Sequence, residues 1–431
     1  MIDRYCLPEM GRIWSEEEKI KKWLAVEMCV LEAFSKNGII TAGELAKIRR
    51  KIHLNIPRIK KIETTTRHDM AAFVDQISEN LGSASRWIHF GLTSSDISDT
   101  ATALQLKESC GVITRKLLKL MDTVGKLAVR HKNTPMIGRT HGVHAEPITF
   151  GFKLSGWYSG INRALALMEN TLETVSYGKI SGPVGTFAHI NPPVEEYVCK
   201  KLKLKPEPVS TQIVPRDRYA AYLCLLAIIA STIEGFAVEI RNMQRTEILE
   251  VEEEFVRGQK GSSSMPHKRN PVGAEQISGL ARVVRSNCLA GLENIAVWGE
   301  RDISHSSVER IVIPDSSILV DYILHRFNGI LENLSVYTEN MQANLTKSQD
   351  VYFSQLLMLN LIKKGLDRDR AYRTLQDISH RAYLTKKDFK GFVLKDKKVM
   401  KYLSEKEIKG CFSMKYFIRN IDIAFRRIGL K

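Results

Sequence analysis

Two stretches of this sequence carry residue types that can move protons and hold anions. Between Gly261 and Pro271 the chain reads GSSSMPHKRNP. A glycine followed by three serines favours a loop with exposed hydroxyls and free backbone N–H groups, a natural nest for an anion. Lys268, Arg269 and Asn270 add two cations and an amide, and Pro271 can open a helix at its first turn. The second stretch, RTHGVHAEP, contains His141, His144 and Glu146. An imidazole titrates near neutral pH and can protonate a leaving nitrogen, so His141 is a candidate general acid. The same spacing suits a structural histidine, and the three residues together also offer a loose metal-ligand set. Glu275, just past the serine loop, could orient an imidazole or simply complement a helix dipole from the first turn.

Three further clusters offer anion-binding groups. TTTRHDMAAFV sets Arg67, His68 and Asp69 at the head of an apolar stretch, with Asp69 expected near a helix N-cap. HFGLTSSDISDT gives Thr93, Ser94 and Ser95, whose hydroxyls can cap a helix or grip a carboxylate with the same donors. ERDISHSSVER supplies Arg301, His305, Ser306, Ser307 and Arg310. Two guanidinium forks around hydroxyls suit a phosphate, while Glu300, Asp302 and Glu309 offer a surface salt-bridge set as the alternative.

The elements that must position these groups read as helices. Leu117, Leu120, Met121, Val124, Leu127 and Ala128 follow i, i+3, i+4, i+7 spacing along a helix that ends before Pro135. Similar patterns run from Phe150 to Val175, Arg218 to Val256, Val272 to Val297 and Asp315 to Met341. Strand alternation is scarce, and long apolar stripes must bury against one another. The expectation is an all-α protein of three helical domains: residues 1–92, a central long-helix bundle over 93–341, and residues 342–431. The turn-rich breaks between the helices hold the chemistry-bearing residues.

Composition narrows the class. At 44% hydrophobic and 26% charged residues the 431-residue chain reads as globular. Its longest uncharged apolar run, Tyr219 to Ile233, is expected to be a core helix too short to span a bilayer. Asp3, Arg4 and Glu9 interrupt any secretory apolar segment at the start, which favours the cytoplasm. Seven cysteines with no CxxC spacing suggest neither a disulfide framework nor a zinc site. The net charge of +16 attracts anions. A basic cluster from Lys386 to Lys409 reads as a solvated helical face, and without a nucleic-acid motif the expected partner is a polyanionic metabolite rather than nucleic acid.

The serine loop matches the signature loop of the fumarase/aspartase superfamily, and TRHDMAAFV, GRTHGVHAEPITFG and ERDISHSSVERIVIPD resemble the adenylosuccinate lyase family in particular. The resemblance covers essentially the whole chain and is weakest over 386–411. It implies elimination of fumarate from two purine-pathway succinyl compounds, adenylosuccinate and SAICAR, with no metal, cofactor or covalent intermediate. It implies Ser262 as general base, with Ser263 remaining an open alternative, and His141 as general acid supported by Glu275. His68 joins that catalytic group by the same resemblance. Lys268, Asn270, Thr93 and Ser94 would stabilise the carbanion's carboxylate. Arg4, Tyr5, Arg67, Asp69, His89, Gln212, Ser263, Arg301, Ser306 and Arg310 would contact substrate. The family also implies a homotetramer with active sites shared between subunits, its core built from the central bundle. Ser264 stands where the family often has alanine. A lyase acting on argininosuccinate, whose substrate has no phosphate, and a nucleic-acid-binding helical scaffold are the competing readings.

Overall fold

The computed structural model describes residues 1–256 and 258–430. Among them are nineteen α-helices and three two-stranded sheets, in accord with the all-α expectation. Five helices are long: Ser94–Arg130, Phe150–Thr174, Asp217–Met243, Val272–Glu293 and Ser304–Glu332. Two differ clearly from the periodicity reading. The helix expected to reach Val256 stops at Met243, because the chain then turns to deliver the wholly buried Glu250 to Arg139, whose guanidinium grips it at 2.8 and 2.9 Å. The helix expected from Asp315 starts at Ser304, where Asp302 accepts the Ser304 N–H at 2.8 Å, and it runs through Pro314. It ends at Glu332, and Thr338–Thr346 is a separate helix.

The apolar run from Tyr219 lies in the 27-residue helix Asp217–Met243, which by length and composition alone could cross a membrane, so the expectation that it is too short is corrected. Half of its most apolar window is buried within this chain. Tyr222, Leu226, Ile229 and Ile233 face the interior, and Ile228 and Val238 stay exposed. The basic stretch is also not one helical face. It forms three short helices, Phe389–Val393, Lys397–Met400 and Glu405–Cys411, because Asp388, Asp396 and Ser404 each cap a new start.

The chain divides into two compact units. The first comprises residues 1–118, 163–234 and 277–326. Its core joins Trp23, Val30 and Phe34 of Glu16–Lys36 to Phe73 and Ile77 of Asp69–Ser78 and to Val194 and Val198 of Pro192–Leu202. Its long-helix segments are tied by polar pairs: Tyr222 to Ser317 at 2.8 Å, Asn287 to Ser316 at 3.1 Å and Lys116 to Asp321 at 2.5 Å. The second comprises residues 119–162, 235–276 and 327–431. Trp157 stacks on Phe236 at 4.9 Å, with Phe327 against both rings. Its C-terminal helices gather Leu357, Leu361, Leu375, Ile378, Phe389 and Ile408 into a separate apolar cluster.

Candidate active site

His141 stands at the tip of a β-hairpin in the second unit. Strands Pro135–Thr140 and Val143–Thr149 pair antiparallel, with Thr140 opposite Val143, so His141 and Gly142 alone make the turn. Both have positive φ, 56° and 77°, as a two-residue hairpin turn that follows the strand twist requires. Glycine meets that demand freely, and His141 accepts a conformation that costs most residues energy. A register shift between Ile137 and Arg139 bends the arm, and Gly138 sits where a Cβ would lie 2.7 Å from the Glu146 carbonyl oxygen. The tip is exposed. His144 turns away to the Ser348 hydroxyl, so His141, His144 and Glu146 do not converge on one point.

The serine loop belongs to the same unit and is ordered by its own groups. Ser262 Oγ accepts the N–H groups of Met265 at 3.1 Å and Ser264 at 3.3 Å. Ser263 has no such bond among the described residues and is exposed. Asn270 donates its side-chain amide to the Gly261 carbonyl at 2.9 Å and closes the loop's base. The backbone packs so tightly there that a Cβ on Gly261 would lie 2.1 Å from the Lys268 carbonyl oxygen. Beyond Pro271, Glu253 accepts the N–H groups of Gly273 and Ala274 at 3.0 and 2.7 Å and caps the helix Val272–Glu293. Glu275 in its first turn and Lys268 in the loop are exposed, and neither side chain has a partner among the described residues. No hydrogen bond joins Glu275 to His141 within one chain.

The anion-binding clusters belong to the first unit. A cavity of about 580 Å³ is lined by Arg67, His68, Asp69, Ser94, Arg301, Ser306 and Arg310 among others. Three stretches widely separated in sequence therefore meet on one surface. His68, not Asp69, is the N-cap of Asp69–Ser78: its Nδ1 accepts the Ala71 N–H at 3.3 Å, because Asp69 is already the first helical residue. Asp69 instead pairs with Arg310 at 2.7 Å. Burial raises the Asp69 pKa, but Arg310, the Met70 N–H and Lys19 outweigh it and hold the carboxyl below its ordinary 3.8. Arg301 has no carboxylate partner among the described residues. Its guanidinium is held by Gln212 Oε1 at 3.3 Å and His305 Nε2 at 3.4 Å, not by the surface salt-bridge set considered from sequence. Arg67 ends the preceding helix at φ 50° and likewise has no carboxylate partner. Arg67 and Arg301 thus face this cavity with no carboxylate paired to either among the described residues.

The remaining residues named from sequence lie in the first unit outside the cavity lining. His89, at φ 56°, gives its backbone N–H to Glu27 and places Nδ1 3.4 Å from the same carboxylate. Thr93 directly precedes Ser94–Arg130, and its N–H is received by Asp96 at 2.8 Å. Tyr5 meets Tyr322 edge to face at 5.2 Å, and Arg4 is exposed.

Sequence reading missed the cavity floor. Arg216 is buried there, bonded to Asp99 at 2.6 Å and to Glu309 at 2.9 Å, and His305 Nδ1 meets Glu309 at 3.1 Å. Burial opposes ionisation of Asp99, yet Arg216 and the Val214 N–H keep its pKa below 3.8, and the same pairing raises that of Arg216. Nothing in spacing signals this network, since residues 99, 216 and 305–309 meet only in the fold.

A helical bundle bearing a serine loop closed on itself, with an arginine-lined cavity, defines a lyase of the fumarase/aspartase superfamily. The family model described as Lyase matches residues 6–286, and that described as Adenylosuccinate lyase C-terminus matches residues 350–428. The chain is 46% identical to the adenylosuccinate lyase of Bacillus subtilis and 48% identical to that of Streptococcus mutans, over 430 residues and 100% of each chain. This chain belongs to the adenylosuccinate lyase family, a family of carbon–nitrogen lyases. Among solved structures it is similar to a fumarate lyase from Mesorhizobium sp. BNC1, at TM-score 0.91 and 25% identity over 100% of both chains. It is also similar to the 3-carboxy-cis,cis-muconate lactonizing enzyme of Pseudomonas putida, at TM-score 0.89 and 26% identity, covering 98% of this chain and 96% of that one.

Proposed function

We propose that this chain removes fumarate from adenylosuccinate to give AMP and from SAICAR to give AICAR, with Ser262 as general base and His141 as general acid. A serine hydroxyl is too weak a base unless its oxyanion is stabilised. The two N–H groups aimed at Ser262 Oγ supply that stabilisation, and the absence of such donors at Ser263 favours Ser262. Ser263 then contributes substrate contact. As the succinyl carbon loses its proton, charge spreads onto the adjoining carboxylate, which Lys268, Asn270, Thr93 and Ser94 receive. His141 gives its proton to the departing nitrogen, with Glu275 assisting and His68 beside the reacting atoms. In one chain Glu275 makes no bond to His141, so the pairing is assigned to the assembled enzyme.

The observation that carries the substrate reading is the pair of guanidiniums, Arg67 and Arg301, with no carboxylate paired to either among the described residues, in a cavity that also holds Ser306 and Arg310. A ribose phosphate satisfies them, and Arg310 joins by exchanging Asp69 for the anion. Arg4, Tyr5, His89 and Gln212 complete the nucleotide contacts. Assembly as a homotetramer with shared sites is supported by apolar side chains left exposed along the long helices, including Ile228, Val283, Leu289, Leu292 and Ile311. We assign residues 1–92, 93–341 and 342–431 to an N-terminal helical domain, a central long-helix bundle and a C-terminal helical domain, and the enzyme to the cytoplasm.

The test is fumarate release by the purified protein from adenylosuccinate, SAICAR and argininosuccinate in parallel. Turnover of the two purine substrates alone is expected. Turnover of argininosuccinate instead would keep the elimination chemistry and overturn the phosphate site, and no turnover of any of the three would overturn the whole reading.

A further inference from the structure

Asp96 and Lys179 form an ion pair at 2.5 Å with both side chains wholly buried. Asp96 lies in the first turn of Ser94–Arg130. One carboxylate oxygen accepts the Thr93 N–H at 2.8 Å, and the other accepts Lys179 Nζ and the N–H groups of Ser181 at 3.1 Å and Gly182 at 3.2 Å. Lys179 is locked in place. Its Nζ also donates to the Gly182 carbonyl at 3.0 Å, and its backbone exchanges two hydrogen bonds with Thr100 Oγ1 at 3.0 and 3.1 Å.

Burying two charges costs several kcal/mol per ion, and an apolar pair of similar volume generally stabilises a fold as well. Stability alone therefore gives little reason for this arrangement. Its position suggests another. The proposed carboxylate donors Thr93 and Ser94 open the same turn, and the N–H groups of Ser94 and Ser95 have no acceptor among the described residues. A buried carboxylate in that turn would repel a second carboxylate arriving there, because a low-dielectric interior screens it poorly. Lys179 cancels that repulsion and leaves the helix dipole free to attract the ligand.

We infer that Lys179 is a positioning residue that keeps the start of Ser94–Arg130 receptive to the carboxylate of fumarate by neutralising Asp96 while Asp96 fixes the turn. The inference rests on the proposed role of Thr93 and Ser94. The experiment measures fumarate and AMP inhibition constants separately, with adenylosuccinate as substrate, for Lys179→Met, Asp96→Asn, the double variant and Ser94→Ala. Lys179→Met weakens fumarate by roughly tenfold or more and leaves AMP within about twofold. Asp96→Asn, which keeps an oxygen acceptor and frees the cation, matches or tightens fumarate binding, and the double variant returns it toward wild type. A purely structural pair would weaken both ligands in every variant, and that pattern overturns the inference. Should Lys179→Met fail to fold, the sign of the Asp96→Asn effect decides the matter, since weakened fumarate binding there also overturns it. Ser94→Ala separates the layers: if it leaves fumarate unchanged, the underlying site reading fails, whereas if it weakens fumarate and Lys179→Met does not, only the inference fails.

Discussion

Replacing Ser262 and Ser263 singly by alanine should give sharply unequal losses, although the two serines are neighbours in the same loop. Ser262 Oγ receives N–H groups at 3.1 and 3.3 Å. A hydrogen bond to a charged group contributes about 1.5–3 kcal/mol against about 0.5–1.5 for a neutral one, so each donor favours the oxyanion by roughly 1–1.5 kcal/mol. Two donors give roughly 2–3 kcal/mol, which multiplies the reactive alkoxide about 30- to 150-fold. Ser262→Ala removes the proposed base, and kcat for fumarate release at saturating adenylosuccinate should fall by about 10² or more. Ser263→Ala should stay within about tenfold, as expected for loss of one substrate contact. Converting the amide before Met265 into an ester deletes one donor without touching a side chain and should lower kcat by roughly 5- to 13-fold. The steady-state rates of the three variants, with melting curves to confirm folding, complete the assay. A Ser263→Ala loss exceeding that of Ser262→Ala, or an ester variant with unaltered kcat, would refute the reasoning.

Other residues give separate tests. Arg301→Ala should raise KM for adenylosuccinate by roughly 10- to 100-fold with a smaller change in kcat, because a charge-assisted phosphate contact is lost; Arg310→Ala should raise it less, since Asp69 already occupies that guanidinium. An unchanged KM for Arg301→Ala would remove the phosphate from this cavity. His141→Ala should lower kcat by about 10² or more, and near-normal turnover would exclude the hairpin tip from proton transfer. Gly151→Ala should cost about 1–3 kcal/mol or more, read as a lower Tm, because the new Cβ would lie 2.3 Å from the Ala128 carbonyl oxygen. Asp99 has a depressed pKa in the fold, so its contribution to stability is complete above its unfolded value, near 3.8, and disappears as pH falls through the depressed one. The Tm difference between wild type and Asp99→Asn should accordingly shrink below about pH 4, and a constant difference would argue against the Arg216 pairing as its source.

The bundle was legible because helical periodicity reports burial directly, as the Leu117 to Ala128 stripe does within Ser94–Arg130. Helix ends were less so. The helix expected from Asp315 begins at Ser304 and runs through Pro314, and the Met243 stop depends on a salt bridge to a residue about a hundred positions earlier. The hairpin that presents His141 was hidden because its turn residues, His and Gly, differ from the commonest Asn-Gly and Asp-Gly signals. Arg67, Ser94 and Arg301 were each visible as local clusters, and their meeting in one cavity was not. The Arg216 network and the Asp96–Lys179 pair escaped entirely, since each joins charges whose sequence neighbours say nothing of the partner.

The two-residue turn under His141 has a consequence for what the hairpin tip can tolerate. A ring at the end of a short, hydrogen-bonded arm has few conformations to search, while Ser262 sits on a loop without regular secondary structure whose own N–H groups hold its oxygen. In the proposed mechanism the acid thus stands on a ladder-paired arm and the base on a loop held by its own hydrogen bonds. A residue inserted at the hairpin tip would therefore harm the proposed reaction by displacing His141 from its two-residue turn, with the strands below left paired.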